Sequence, residues 1–226
     1  MSSLDSLNQP QEELRPTLIS FGIKLNIPTR ITEEDIKDLF RTIRQSTGPM
    51  FNSLGSSESK DIFLIKGSID KRVILIGKDF AQYEEPKKLS TVSFNSVSQH
   101  IYDFFTQRLN VPLVDIKLIG KIYKYEIVSS AITANTIANT LHLADTFPVS
   151  RIAFHVTYAY GTMNVHLNVT SNSENDDEPS ATAIIDINNK DQLKGIGIDT
   201  FERVIAFADD FNRSSFIDLL RKIGLQ

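Results

Sequence analysis

The sequence predicts an α+β fold: a duplicated β-α-β-β-α unit in antiparallel or mixed sheets, with helices packed on one side. Three observations predict it. Between Arg151 and Asn188 apolar and polar residues alternate almost without error, the period of a half-buried antiparallel hairpin. Two short runs, Ile62 to Ile65 and Val73 to Ile76, are apolar at every position, as in strands buried on both faces. Stripes of apolar residues at helical spacing separate the strand groups.

Residues 1–15 are polar and carry Asp5, Glu12 and Glu13, so a disordered N-terminus is expected. They hold neither the basic nor the apolar region of a signal peptide. The first strand is expected over Pro16 to Ile27, ended by Pro28. A helix starts at Thr32, whose hydroxyl can cap while Asp35 answers three residues on. Its buried stripe is Ile36, Leu39, Phe40 and Ile43, and Gly48-Pro49 stops it. A Ser/Gly-rich loop, Asn52 to Ser59, leads to the two apolar strands, and a helix over Asn95 to Leu109 turns Val97, Ile101, Phe104, Phe105 and Leu109 inward. Pro112 closes this first repeat, residues 16–112.

The second repeat, residues 113–226, begins with a strand from Val114 to Val128. Apolar parity is even at Val114, Ile116 and Leu118 but odd at Tyr123, Tyr125 and Ile127, which predicts a β-bulge at Gly120. A helix follows over Thr133 to Asp145, then the alternating hairpin, an acidic loop from Ser171 to Ser180, and a strand from Ala181 to Asn188. Helices over Thr200 to Asp210 and Ser214 to Ile223 close the chain. The two repeats are expected to pack as one globular unit, side by side or back to back.

Composition narrows the function classes. At 226 residues a sizeable core is available, and a net charge of -4 argues against non-specific nucleic-acid binding. The absence of cysteine removes disulfides, thiolate metal sites and cysteine nucleophiles, and fits a cytoplasmic protein. No apolar run approaches the ~20 residues of a membrane span, and no phosphate-binding Gly-x-x-x-x-Gly-Lys loop is present.

The hairpin supplies the candidate binding residues: His155, Thr157, Asn164, His166 and Asn168 on its polar face. If the turn is Tyr160-Gly161, His155 lies opposite His166; if it is Gly161-Thr162, His155 faces Asn168. Two histidines alone do not complete a catalytic zinc site, which takes three protein ligands. His100 and His142 sit on helices, and no Ser-His-Asp triad can be read from their positions. The run Glu174 to Glu178 lacks the alternating ligands and glycine of a calcium loop. No catalytic residue, metal or cofactor is expected.

Two resemblances bear on function. Gly195-Ile-Gly197-Ile-Asp199 resembles the opening motif of the holo-acyl-carrier-protein synthase type of phosphopantetheinyl transferase, in which the aspartate binds magnesium. That family also needs a later Lys-Glu pair, and none follows here, so a strand-to-helix turn with Asp199 or Thr200 as N-cap explains the residues. The pattern Ile184-Ile-Asp186-Ile187, Phe201 to Phe211 and Ser214-Ser215-Phe216 resembles an uncharacterised prokaryotic protein family of similar length. That resemblance implies architecture only. The leading expectation is a non-enzymatic protein-interaction or assembly protein that self-associates. Its alternatives are a binder of a small apolar ligand between sheet and helices, and a magnesium-dependent transferase using Asp199.

Overall fold

β1 (Leu18–Leu25) alternates as the sequence requires, with Phe21, Ile23 and Leu25 buried on one face and Ser20, Gly22 and Lys24 on the other. The computed structural model describes residues 15–59, 61–67, 71–86, 91–127, 153–171, 181–189, 199–216 and 218. The expected N-terminal tail, the helix over Thr133 to Asp145, the acidic loop after Ser171 and most of the final helix lie outside the described residues.

α1 (Glu33–Thr47) begins with the expected capping box. The Asp35 amide donates to Thr32 Oγ1 at 3.2 Å, and Asp35 Oδ2 accepts from the Thr32 amide at 3.0 Å. The Thr32 hydroxyl also donates to Asp35 Oδ2 at 2.6 Å, and this bond, with that from the Thr32 amide and Arg108 nearby, holds the Asp35 carboxyl below its usual range. The helix stops where Gly48 adopts φ 67, a conformation that costs glycine nothing.

Four strands follow: β2 (Phe51–Ser56), β3 (Ile62–Gly67), β4 (Val73–Gly77) and β5 (Phe80–Pro86). Two of them correct the sequence reading. The Ser/Gly-rich loop is largely β2, an edge strand whose small polar residues face solvent. β5 was hidden because Glu85 occupies an inward position in its alternation. β3 and β4 are not buried on both faces: Phe63, Ile65, Ile74 and Ile76 face the core, while Leu64, Val73 and Leu75 are half-buried and Ile62 is exposed.

α2 (Thr91–Asp103) starts earlier than expected and ends in a π-turn over Phe104–Arg108, closed by Leu109 N–H to Phe104 O at 2.9 Å. β6 (Ile116–Ile127) runs through Gly120 in unbroken register with β1. The irregularity falls instead between Lys24 and Leu25, which pair with Leu118 and Ile116. The inward residues of β6 are Ile116 before that step and Ile119, Lys121, Tyr123 and Tyr125 after it, so the parity switch is a β-bulge at Lys117, not at Gly120, and Lys121 is a buried lysine in the later run.

β7 (Ala153–Tyr160), β8 (Met163–Ser171), β9 (Ala181–Asn188) and α3 (Thr200–Arg213) complete the described elements. The nine strands form one antiparallel sheet in the order β2-β3-β4-β5-β1-β6-β9-β8-β7. Each half places its first strand innermost, β1 beside β6, and the strand preceding its last helix next to it. The three described helices pack on one face, with Ile36, Val97, Ile101, Phe201 and Val204 against Phe21, Ile23 and Tyr83. Among the described residues, no helix is long and apolar enough to cross a membrane.

Candidate functional site

The hairpin turns on Gly161-Thr162, with Gly161 at φ 59, and Tyr160 pairs with Met163. That settles the register: His155 faces Asn168, Thr157 faces His166 and Ala159 faces Asn164. On the face opposite the described helices, one residue row runs Thr157, His166, Asp186, Ile122 and Ser20, from exposed Thr157 at the edge to buried Ser20 at the centre, and the next runs His155, Asn168, Ile184, Lys124 and Leu18. All five residues singled out in the sequence therefore share one surface.

The two histidines are diagonal neighbours, their rings stacked with centroids 5.9 Å apart. Thr157 joins them: its hydroxyl lies 2.9 Å from His155 Nε2 and 3.0 Å from His166 Nδ1. Asn168 Oδ1 accepts from His155 Nδ1–H. One hydroxyl thus lies within hydrogen-bond reach of imidazole nitrogens on two strands. Asp186, cross-strand from His166, accepts from Asn188 at 2.9 Å. Among the described residues no group of three His, Asp or Glu side chains is placed to hold a metal ion. The surface offers donors and acceptors to a partner but gathers no reactive set.

β7 is also the outer strand of the sheet. It reads Ala-Phe-His-Val-Thr-Tyr-Ala-Tyr, with no charged residue, proline or glycine along its length. Ala153, His155, Thr157 and Ala159 are exposed on the open side. On the helix side Tyr158 is 41% and Tyr160 70% exposed, although Tyr160 stacks on Phe207 of α3 at 5.3 Å. Phe207 meets Phe211 at 6.0 Å, which extends the aromatic shelf beside the strand. Long uncharged edges are uncommon, because unpaired N–H and C=O groups recruit further strands.

The other sites read from the sequence stand apart from this surface. Asp199 is exposed at the start of α3, makes no side-chain cap, and pairs with Arg203 at 2.9 Å. Gly195 and Gly197 lie outside the described residues, as do His142 and the run Glu174 to Glu178. His100 is half-buried, 2.9 Å from Ser46 Oγ. A shallow pocket of about 450 Å³ lies at the end of α1, lined by Phe40, Arg41, Arg44, Gln45, Gly48 and Pro49.

Sequence reasoning missed a polar network on the covered face. Lys121 is fully buried, 2.7 Å from Asp209 Oδ1 and 2.9 Å from Asn95 Oδ1, and its ammonium lies over the Phe94 and Tyr123 rings. Tyr123 donates to the same Asp209 oxygen at 2.6 Å, and Tyr125 to Asn212. Along the sheet, Tyr83 donates to Glu85, itself 4.0 Å from buried Arg72. Burial is the largest influence on Lys121 and holds its ammonium below the usual lysine range despite Asp209. Burial also pushes Asp209 up, but Lys121 and the hydrogen bonds from Tyr123 and Asn95 outweigh it, and the carboxyl sits below its usual range. The signal was the shared odd parity of Ile119, Lys121, Tyr123 and Tyr125.

No family model matches the chain, and no curated protein matches it. Among solved structures it is compared with the Pct1 RNA triphosphatase of S. pombe, at 10% identity over 89% of this chain and 85% of that one, with a TM-score of 0.20. The same enzyme in complex with the Spt5 CTD gives 9% identity over 95% and 84%, with a TM-score of 0.15. At these scores the likeness carries no argument about this chain.

Proposed function

We propose that this chain is a non-enzymatic interaction protein that assembles with other chains through the outer edge of its second half. One observation carries the reading: an eight-residue edge strand with no charge or proline, whose last three residues include two exposed tyrosines. Solvent-facing edges are ordinarily shortened, charged or interrupted. β2, the opposite edge, follows that rule with six residues, most of them small and polar. The hydrogen-bonding residues of the hairpin's open face, His155, Thr157, Asn164, His166 and Asn168, lie beside the edge and would contribute selectivity. The shared strand order of the two halves supports reading the chain as a duplicated unit, and its lack of cysteine supports a cytoplasmic setting.

Affinity purification of the full chain from its native host tests this, comparing the parent with a Thr157→Lys/Tyr160→Glu variant. Both changed side chains are exposed; losing the Tyr160–Phe207 stack and the Thr157 hydrogen bonds costs about 1–2 kcal/mol, so the variant should stay folded and melt within about 8 °C of the parent. The expected result is a partner held by the parent and lost from the variant. A variant that keeps every partner overturns the reading.

A further inference from the structure

We propose that β7 pairs antiparallel with β7 of a second copy about a two-fold axis at Val156, joining two nine-stranded sheets edge to edge. The inference rests on the edge reading above and names its occupant.

Backbone geometry sets which groups are free. In a two-residue hairpin the flanking pair, Tyr160 and Met163, is hydrogen-bonded, and alternate pairs repeat the pattern. Residues 154, 156, 158 and 160 therefore direct their N–H and C=O groups toward β8. Ala153, His155, Thr157 and Ala159 direct theirs outward. A second strand must present the same alternation for the dry and wet faces of the sheet to continue across the join. It must also be uncharged on the edge to avoid burying a lone charge. β7 itself meets both conditions.

Symmetry narrows the register. A two-fold axis perpendicular to the sheet keeps helix side with helix side, so paired residues have equal parity and the axis passes through a residue. An axis at Val156 pairs His155 with Thr157 and Ala153 with Ala159 of the second copy, using all four outward residues in about eight backbone hydrogen bonds. An axis at Thr157 pairs only His155, Thr157 and Ala159 within the strand, giving about six. The Val156 register is favoured, and it sets no like charges opposite each other.

Size fixes the strength. Eight residues span about 27 Å, and a sheet is about 10 Å thick, so the join buries roughly 500–600 Å² in total. Stable interfaces start near ~1,000 Å². The result is a reversible dimer that forms at high concentration, strengthened where the aromatic shelf meets the incoming strand.

The chain has no native cysteine, so one introduced thiol reports one position. Sedimentation equilibrium of the full chain should show the mass rising with concentration from 25.4 kDa toward twice that value. Under mild oxidation Val156→Cys should form disulfide-linked dimer at least tenfold faster than Thr157→Cys, because only the residue on the axis meets its own copy. Thr157→Pro removes an outward N–H and leaves the β8 hydrogen bonds intact, so it should abolish dimerisation while circular dichroism shows the fold retained, at a cost of about 1–2 kcal/mol for the lost hydroxyl contacts. A monomeric mass throughout, with no cross-link at either position, overturns the inference. So does preferential linkage at Thr157, or slow hydrogen exchange of the outward β7 amides in dilute monomer, which would mean the chain's own residues cover the edge. A synthetic peptide of residues 153–160 separates this from the broader reading. If it binds the parent and not Thr157→Pro while the copies stay monomeric, a second copy is the wrong occupant and the edge still docks strands; if it does not bind either, both readings fail.

Discussion

Replacing Asp209 by asparagine would leave the Lys121 ammonium buried opposite a neutral group of the same shape. Lys121 is 0% exposed, so water cannot substitute for the lost carboxylate. The least costly response is loss of the lysine's proton. At pH 7, with an unfolded lysine near 10.4, that response costs about 1.36 kcal/mol for each of 3.4 pH units, or roughly 4.6 kcal/mol, and this is a ceiling. Asn95 Oδ1 remains as an acceptor at 2.9 Å, which places the expected loss at about 3–4 kcal/mol. Urea unfolding followed by circular dichroism should show the midpoint falling by roughly 1 M or more, for an m-value near 3 kcal/mol/M.

The mechanism also has a sign. A neutral folded Lys121 against a charged unfolded one means the unfolded chain holds one more proton, so stability of the variant must rise with pH, by up to ~1.4 kcal/mol per unit between pH 7 and 9. Adding Lys121→Met to Asp209→Asn removes the stranded charge and should recover all but about 1–2 kcal/mol of the parent stability. A loss below ~1 kcal/mol in the single variant, no pH dependence in that window, or a double variant as unstable as the sum of the two singles, would refute the account.

Other perturbations test separate parts of the fold. Burial pushes the Tyr83, Tyr123 and Tyr125 phenols well above their usual range, so they contribute stability below about pH 10 that is lost as pH rises; alkaline unfolding should begin there, losing up to ~4 kcal/mol per pH unit, with tyrosinate absorbance and circular dichroism changing together. Thr32→Ala should cost about 1 kcal/mol in urea unfolding through loss of the α1 cap, and Thr32→Ser should restore most of it. Gly120→Ala would place a Cβ 3.0 Å from Asn188 Cβ and 3.2 Å from the Ile187 carbonyl oxygen, and should lower stability by roughly 1–3 kcal/mol in thermal melts; an unchanged melting temperature would mean that β9 yields freely.

The elements that the sequence made legible were those whose period was uninterrupted. The strand from Ala181 to Asn188, the α1 capping box and the hairpin each have one face of consistent chemistry, and each was placed correctly. Two of the misreadings share a cause, a charge in an inward position: Glu85 hides β5 and Lys121 interrupts the apolar face of β6, because period-two reasoning assigns a lysine or glutamate to the wet face. β2 is missed because its residues are small and polar, and the bulge in β6 falls at Lys117 rather than Gly120. What made those positions tolerable, Arg72 and Tyr83 beside Glu85 and Asp209 beside Lys121, comes from other strands and a distant helix. The candidate surface was partly legible. Alternation picked out its five residues, but register alone decided that Thr157, not a direct His155–His166 pair, links the two imidazoles.

The two ends of the sheet and its centre are specified by different means. At the centre, Lys121 projects from β6 and takes Asn95 from α2 of the first half and Asp209 from α3 of the second. Neither half alone can satisfy that lysine, so the network fixes how the halves join in a way that interchangeable apolar contacts would not. At one rim, β2 is short and carries small polar residues that discourage further pairing. At the other, β7 carries none of these devices. A sequence that excludes wrong pairings at its seam and at one rim, yet leaves eight uncharged residues at the other, retains that edge against the ordinary pressure to blunt it. Pairing with another strand, as proposed above, is the use that such an edge predicts.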